Sequence, residues 1–142
     1  MNAPNIKIIK FIKKHHVLTL ATTIDNQPWC CNCFYAYDSE SQHFVFTSEE
    51  HTRHINEILK NHNVAGSIVL ETKIIGKIQG LQFEGRVFKI MQKHESSLKM
   101  NYIRRFPYVI LTDTPLWGLE ILHLKYTDNR LGFGKKIVWN KN

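Results

Sequence analysis

The alternation of apolar and polar positions changes period several times along this chain, and each change predicts an element. From Asn5 to His15 the spacing of Ile6, Ile9 and Ile12, widened by Ile8 and Phe11 and interrupted by lysines, predicts an amphipathic helix. Asn2 or Asn5 is its candidate cap, with Pro4 near its start. Val17 to Ile24 then alternates with period two: Leu18, Leu20, Thr22 and Ile24 share one face, and Val17, Thr19, Ala21 and Thr23 the other. The turn cluster Asp25-Asn26-Gln27-Pro28 follows, then a second strand over Trp29–Tyr37, a turn at Asp38-Ser39-Glu40-Ser41, and a third strand over His43–Thr47. Three strands joined by short turns predict an antiparallel meander.

The second half repeats the mixture. A helix is expected over Thr52–Asn61, with Ile55, Ile58 and Leu59 as its apolar face. Strands are expected over Val64–Leu70 and Gln79–Ile90, the latter with Gly85 marking a bulge or a close backbone contact. Glu95–Phe106 reads as a helix ended by Pro107, followed by strands over Leu116–Tyr126 and Lys135–Trp139. Six or seven strands with three short helices predict a mainly β, α+β fold. A small closed barrel suits many short strands better than a sandwich with exposed edges. No repeat or linker divides residues 1–142, so one domain is expected.

Composition narrows the function classes. With 43% apolar and 22% charged residues the chain is no disordered segment, and its apolar runs are too short to span a bilayer. Lysines break the first apolar run, so it does not read as a signal peptide and a cytoplasmic protein is expected. The net charge of +7 admits nucleic acid, an anionic membrane or an anionic small ligand. The lysines are scattered, and no arginine-rich tract or zinc-finger signature accompanies them, so a solvated basic surface fits better than a nucleic-acid groove. Cys30, Cys31 and Cys33 are too few and too close for a disulfide framework. On a strand, Cys31 and Cys33 share a face and Cys30 points away. A zinc site would need further ligands from distant positions, so these read as small strand residues and no metal is expected.

Three segments carry candidate chemistry. In Phe46-Thr47-Ser48…Thr52-Arg53-His54, a strand ends in hydroxyls and a helix opens with an arginine. Free helix N–H groups and the guanidinium fork suit a phosphate, although a capped helix start has the same composition. In Ile78-Gln79-Gly80-Leu81-Gln82-Phe83-Glu84-Gly85-Arg86, glycines beside Gln82 leave room for a planar ligand, or simply for strand bends. The tail Thr127–Lys136 holds Gly132-Phe133-Gly134 without the spacing of a phosphate loop. His51 and His54 lie three apart, but no His-Glu-x-x-His pattern, nucleophile elbow or evident acid/base pair exists. Any enzymatic reactivity would therefore come from a cofactor.

Taken in order, His15-His16-Val17-Leu18-Thr19-Leu20-Ala21-Thr22, Gln27-Pro28-Trp29, Phe34-Tyr35-Ala36-Tyr37-Asp38, Phe46-Thr47-Ser48 and Thr52-Arg53-His54 resemble the FMN-binding split barrels related to pyridoxamine 5′-phosphate oxidase. Gly80–Gly85, Arg104-Arg105-Phe106-Pro107 and Thr127–Lys136 are similar to the uncharacterised YhbP-like proteins within that group. The resemblance covers nearly the whole chain. It implies a six-stranded antiparallel Greek-key split barrel with flanking short helices, a homodimer, and FMN in grooves at the dimer interface. Thr47 and Ser48 would approach the ribityl chain or phosphate, and Thr52, Arg53 and His54 the phosphate. Cys31, Asn32 and Cys33 would pass the isoalloxazine edge, with Gln82 and Trp117 as later contacts. Flavin-dependent oxidoreductase chemistry on a small molecule would follow. The alternative is a dimer that has lost flavin and serves as a binding module. The chain departs from the oxidase in having Cys31 near an arginine position and His54 near a lysine position, and vitamin B6 oxidation is not carried over.

Overall fold

The computed structural model describes residues 2–91 and 96–142. Helix α1 (Ile6–Lys14) opens the chain, its N-terminus closed by the Asn5 side chain, which accepts from the Lys7 N–H at 2.9 Å. Strands β1 (Val17–Ile24), β2 (Gln27–Asp38) and β3 (His43–Thr47) form the expected meander. Asp25 and Asn26 alone make the first turn, both at positive φ, as a two-residue hairpin loop requires. Gln27 and Pro28, expected in that turn, already belong to β2. Helix α2 (Arg53–Lys60) crosses to β4 (Asn63–Val69), and β5 (Gln79–Lys89) follows. Helix α3 (Ser96–Arg105) precedes β6 (Leu116–Asp128) and β7 (Lys136–Asn140); Glu95, expected as the first residue of α3, lies outside the described residues.

All pairings are antiparallel, in the order β3-β2-β1-β4-β5-β6-β7, and β3 also pairs with β6. That last pairing closes six strands into a barrel, and β4 lying beside β1 after the β1–β2–β3 meander is the Greek-key return. The seventh strand extends the far half of β6, where His123–Thr127 face Lys136–Asn140. Opposite the step from Glu84 to Gly85 the β5–β6 register shifts, so the glycine expected to mark a bulge does so. A Cβ on Gly85 would stand 2.3 Å from the Glu120 carbonyl oxygen, which fixes why this position is glycine.

Period-two alternation builds the interior. Leu18 and Leu20 from β1, Phe44 and Phe46 from β3, Leu81 and Phe83 from β5, and Trp117, Leu119, Ile121 and Leu124 from β6 fill the barrel. Helix α1 closes one end with Ile8, Phe11 and Ile12, and the buried Tyr35 hydroxyl donates to the Ile12 carbonyl at 2.6 Å. Arg105 fastens the same corner. Its guanidinium donates to the carbonyl oxygens of Tyr35 at 3.0 Å, Lys13 at 3.1 Å and His15. The Arg104-Arg105-Phe106-Pro107 motif is thus a fastening between helices and sheet.

A second cluster lies outside the barrel. Leu98, Tyr102, Phe106 and Val109 cover Ala36 of β2 and Val45 of β3. Among the described residues the middle of the outer face of β2-β1-β4-β5 has no such cover, while Phe34, Ala36 and Phe88 at its margin meet that cluster. Two rows cross it in register: Asn32–Thr19–Ser67–Gln82, and Cys30–Ala21–Ala65–Glu84. Val17, Phe34 and Val69 stand exposed beside them.

Candidate functional site

The turn from β3 into α2 is held from behind. The Trp117 indole donates to the Ser48 carbonyl at 2.9 Å, the Ser48 N–H donates to the Pro115 carbonyl at 3.3 Å, and the Thr47 hydroxyl lies 3.3 Å from that of Tyr102. Trp117 is 1% exposed, so its role within one protomer is to position Ser48. Thr52 caps α2, its hydroxyl donating to the Glu49 carbonyl at 2.9 Å and accepting from the Ile55 N–H at 3.4 Å. The first two helical N–H groups, of Arg53 and His54, have no backbone acceptor among the described residues.

Arg53 is held by two neighbours, Trp29 and Glu57. Its guanidinium sits 4.2 Å over the Trp29 ring, and Nε donates to Glu57 at 2.8 Å. Glu57 also accepts from the buried Thr22 hydroxyl at 2.8 Å. The Arg53 and Thr22 hydrogen bonds hold the Glu57 carboxyl below its ordinary range. Among the described residues Nε is the one Arg53 nitrogen with a hydrogen bond, and the half-exposed side chain lines a shallow cleft of about 370 Å³ with Ile24, His51, Asn56, Glu57 and Lys60. A cleft of about 580 Å³, lined by Ile90, Ile103, Val109 and Leu116 among others, lies apart from the predicted residues.

Beside this turn, β2 alternation brings Cys31 and Cys33 to one face, with 3.9 Å between their sulfur atoms. Cys33 is buried, Cys31 partly buried and Cys30 exposed. The hydrogen bond shared with Cys33, and a further one with His54, draw the Cys31 thiol down against the opposing effect of burial. The same shared hydrogen bond, and burial, push Cys33 up. The His54 Nε2 is hydrogen-bonded to the Ser48 hydroxyl. Cys31, Cys33 and His54 present their ligand atoms within 4.8 Å of one another.

The ten predicted residues therefore divide in three. Cys31, Cys33, Thr47, Ser48, Thr52, Arg53 and His54 gather about the β3–α2 turn. Asn32 and Gln82 lie on the bare outer face, where Asn32 accepts from the Thr19 hydroxyl at 2.7 Å. Trp117 supports the turn from the interior. The sequence reading did not place His54 beside the two cysteines, where the structure brings it; the signal was Cys-x-Cys on a strand face with a histidine opening a later helix. It also missed Trp29 and Glu57, which orient Arg53.

No family model matches the chain. A UPF0306 protein of Photorhabdus laumondii is 41% identical over 143 residues, covering 99% of this chain and 100% of the relative. Among solved structures, a haem-binding protein of Mycobacterium smegmatis superposes with a TM-score of 0.77 at 13% identity, over 99% of this chain and 60% of that one. A FAD-binding protein of Mesorhizobium loti gives 0.70 at 15% identity, over 85% and 91%. A Listeria innocua protein assigned to the pyridoxamine 5′-phosphate oxidases gives 0.66 at 12% identity, over 85% and 95%. At such identities these likenesses establish the split-barrel fold. Among the described residues no helix is long and apolar enough to cross a membrane.

Proposed function

The chain belongs to the UPF0306 family, and we propose that it is a cytoplasmic, homodimeric split barrel that binds FMN, with YhbP-like proteins as its nearer kin. The observation that carries the reading is the β3–α2 turn. The Thr47 and Ser48 hydroxyls and two helical N–H groups without backbone acceptors among the described residues lie along it, and Arg53, which opens the helix, lines a cleft with His51 of the same turn. That is a donor set for a phosphate dianion. Flavin in the Mesorhizobium neighbour supports the choice of cofactor. The bare, largely uncharged outer face supports the dimer: in a chain of net charge +7, Thr19, Ala21, Asn32, Ala65, Ser67 and Gln82 offer a polar but neutral surface to a second copy. Gln82 and Asn32 would then reach a flavin bound against the partner. FMN, when bound, supplies hydride or electron transfer to a small molecule; the protein's share is to hold the phosphate and exclude water from the ring.

The test is a flavin titration of the purified dimer, followed by absorption and by quenching of FMN fluorescence. Micromolar FMN is expected to saturate one site per protomer. Arg53→Ala is expected to weaken binding by about 1.5–3 kcal/mol, the worth of a hydrogen bond to a charged group. No saturation by dimeric protein ends the flavin reading. A second reading, a dimer that serves as a binding module without flavin, draws on the Ser48–His54 and Cys31–Cys33 contacts, which engage site groups with one another. It predicts a dimer with no flavin spectrum.

A further inference from the structure

We propose that Cys31, Cys33 and His54 form a binding site for a thiophilic divalent cation of the zinc(II) class. The argument begins with strand geometry. Residues two apart on β2 project to the same side, so Cys31 and Cys33 present a pair of sulfurs, while Cys30 points to the outer face. Two thiolates on a tetrahedral zinc, each with a metal–sulfur bond of about 2.3 Å, stand ~3.8 Å apart. The observed separation is 3.9 Å. The third donor arrives from a different element, 21 positions after Cys33, and all three ligand atoms already lie within 4.8 Å of one another.

The donor chemistry selects the cation. Two sulfurs and one imidazole disfavour magnesium and calcium, which take oxygen ligands, and suit zinc and its softer neighbours. Both cysteines bind as thiolates, their thiol protons passing to solvent, and His54 binds as the neutral ring. The surroundings resemble those of a working metal ligand. His54 is oriented by the Ser48 hydroxyl, and Ser48 is in turn held by the Trp117 indole and the Pro115 carbonyl. Cys33 is buried and Cys31 partly exposed, so one side of the cluster remains open to entry. Three protein ligands leave a fourth position for water or an anion, the arrangement of zinc sites that do chemistry rather than purely hold a fold.

This site requires no flavin. It shares side chains with the proposed phosphate site, but there they act as walls and here as ligands. The two readings are separated by measuring metal and FMN independently. Reduced, chelator-stripped full-length protein would be titrated with zinc(II) against a chromophoric competitor, and in parallel with cobalt(II), whose thiolate-to-metal charge-transfer absorption reports sulfur ligation. One metal per protomer is expected, with that absorption present. Cys31→Ser, Cys33→Ser and His54→Gln are each expected to lower affinity at least about a hundredfold, and Ser48→Ala, one shell out, about ten- to a hundredfold. Cys30→Ser is expected to bind metal as the parent does. Circular dichroism identifies any variant that has not folded. Because Cys31→Ser changes one partly exposed atom, it keeps the test decisive if Cys33→Ser fails to fold. Fewer than about one metal per ten protomers at micromolar free zinc overturns the proposal. So does metal binding that survives in folded Cys31→Ser and His54→Gln alike.

Discussion

Two turns of this molecule have similar compositions, each with an arginine, a hydrogen-bonding side chain and a break in regular structure, yet they do opposite things. In the tail after β6, Asp128 accepts from the Arg130 N–H and Nε at 3.0 Å and from Nη2 at 2.9 Å. Asn129 accepts from the Gly134 N–H at 3.0 Å and donates to the Ile75 carbonyl at 2.9 Å. Nearly every polar group there answers to its own loop or to the adjacent short helix Ile75–Lys77. After β3 most partners come from elsewhere: Trp117 and Pro115 hold Ser48, Trp29 lies under Arg53, and Cys31 and Cys33 approach His54. A turn that satisfies itself is a fastening. A turn fixed from outside, with donors left over, is suited to hold a ligand.

The largest effect that can break this contrast comes from removing what stands behind the site. Trp117→Ala empties a fully buried indole position and is expected to cost about 3–5 kcal/mol of stability, read from urea unfolding. Trp117→Phe keeps most of the packing and removes the donor to the Ser48 carbonyl, a loss of about 0.5–1.5 kcal/mol. Because that bond sets the turn, Trp117→Phe is also expected to weaken zinc and FMN binding. Unchanged affinity for both would show that the turn is not held from behind.

Asp128→Ala is the counterpart on the other side. It removes the acceptor shared by Arg130 and the Tyr126 hydroxyl, which is 3.2 Å away, at an expected cost of about 1–3 kcal/mol with no change in ligand affinity. Its pH dependence follows from the direction of its shift. Arg130 holds the Asp128 carboxyl below its ordinary value, so folding gains from it above the unfolded pKa of ~3.9 and loses that gain as pH falls through the lower folded value. Asp128→Asn is therefore expected to flatten the fall in stability below about pH 4. A parent and variant that lose stability in parallel there would assign the acid transition to other carboxylates, Glu57 first.

This contrast was only half legible in the sequence. Alternation placed β1 over Val17–Ile24 and β3 over His43–Thr47, the bounds the structure has, because each strand buries one face and a slip of one residue would expose it. The Asp25–Pro28 cluster was read two residues too long, since Pro28 tolerates the β2 position opposite Thr23, a pair outside the hydrogen-bonded hairpin closure. The helix expected from Thr52 starts one residue later, at Arg53, because the Thr52 hydroxyl caps it. The Cys31–Cys33–His54 convergence did not, because it depends on how far α2 swings back toward β2, a distance set by packing and not by spacing. The residue type of Trp117 fits a ligand contact or an interior support, and the structure buries it within one protomer.

The smallest effect sharpens the contrast most. Gly134 sits at φ +68°, and a Cβ there would meet only the flexible Lys136 amine at 3.6 Å. Space is therefore not the constraint; backbone conformation is. Gly134→Ala is expected to cost about 1–2 kcal/mol, and Gly134→Asn less, since asparagine tolerates the left-handed region. If the tail is purely a fastening, both variants bind FMN and zinc as the parent does, and the stability difference between them is the whole effect. If instead Gly134→Ala weakens FMN binding while leaving zinc binding intact, the tail reaches the flavin of a partner protomer, and the exposed Phe133 beside it becomes the contact to change next. Equal loss of both ligands would mean that the two turns are coupled through β6, whose first residues pair with β3 and whose last residues lead into the tail.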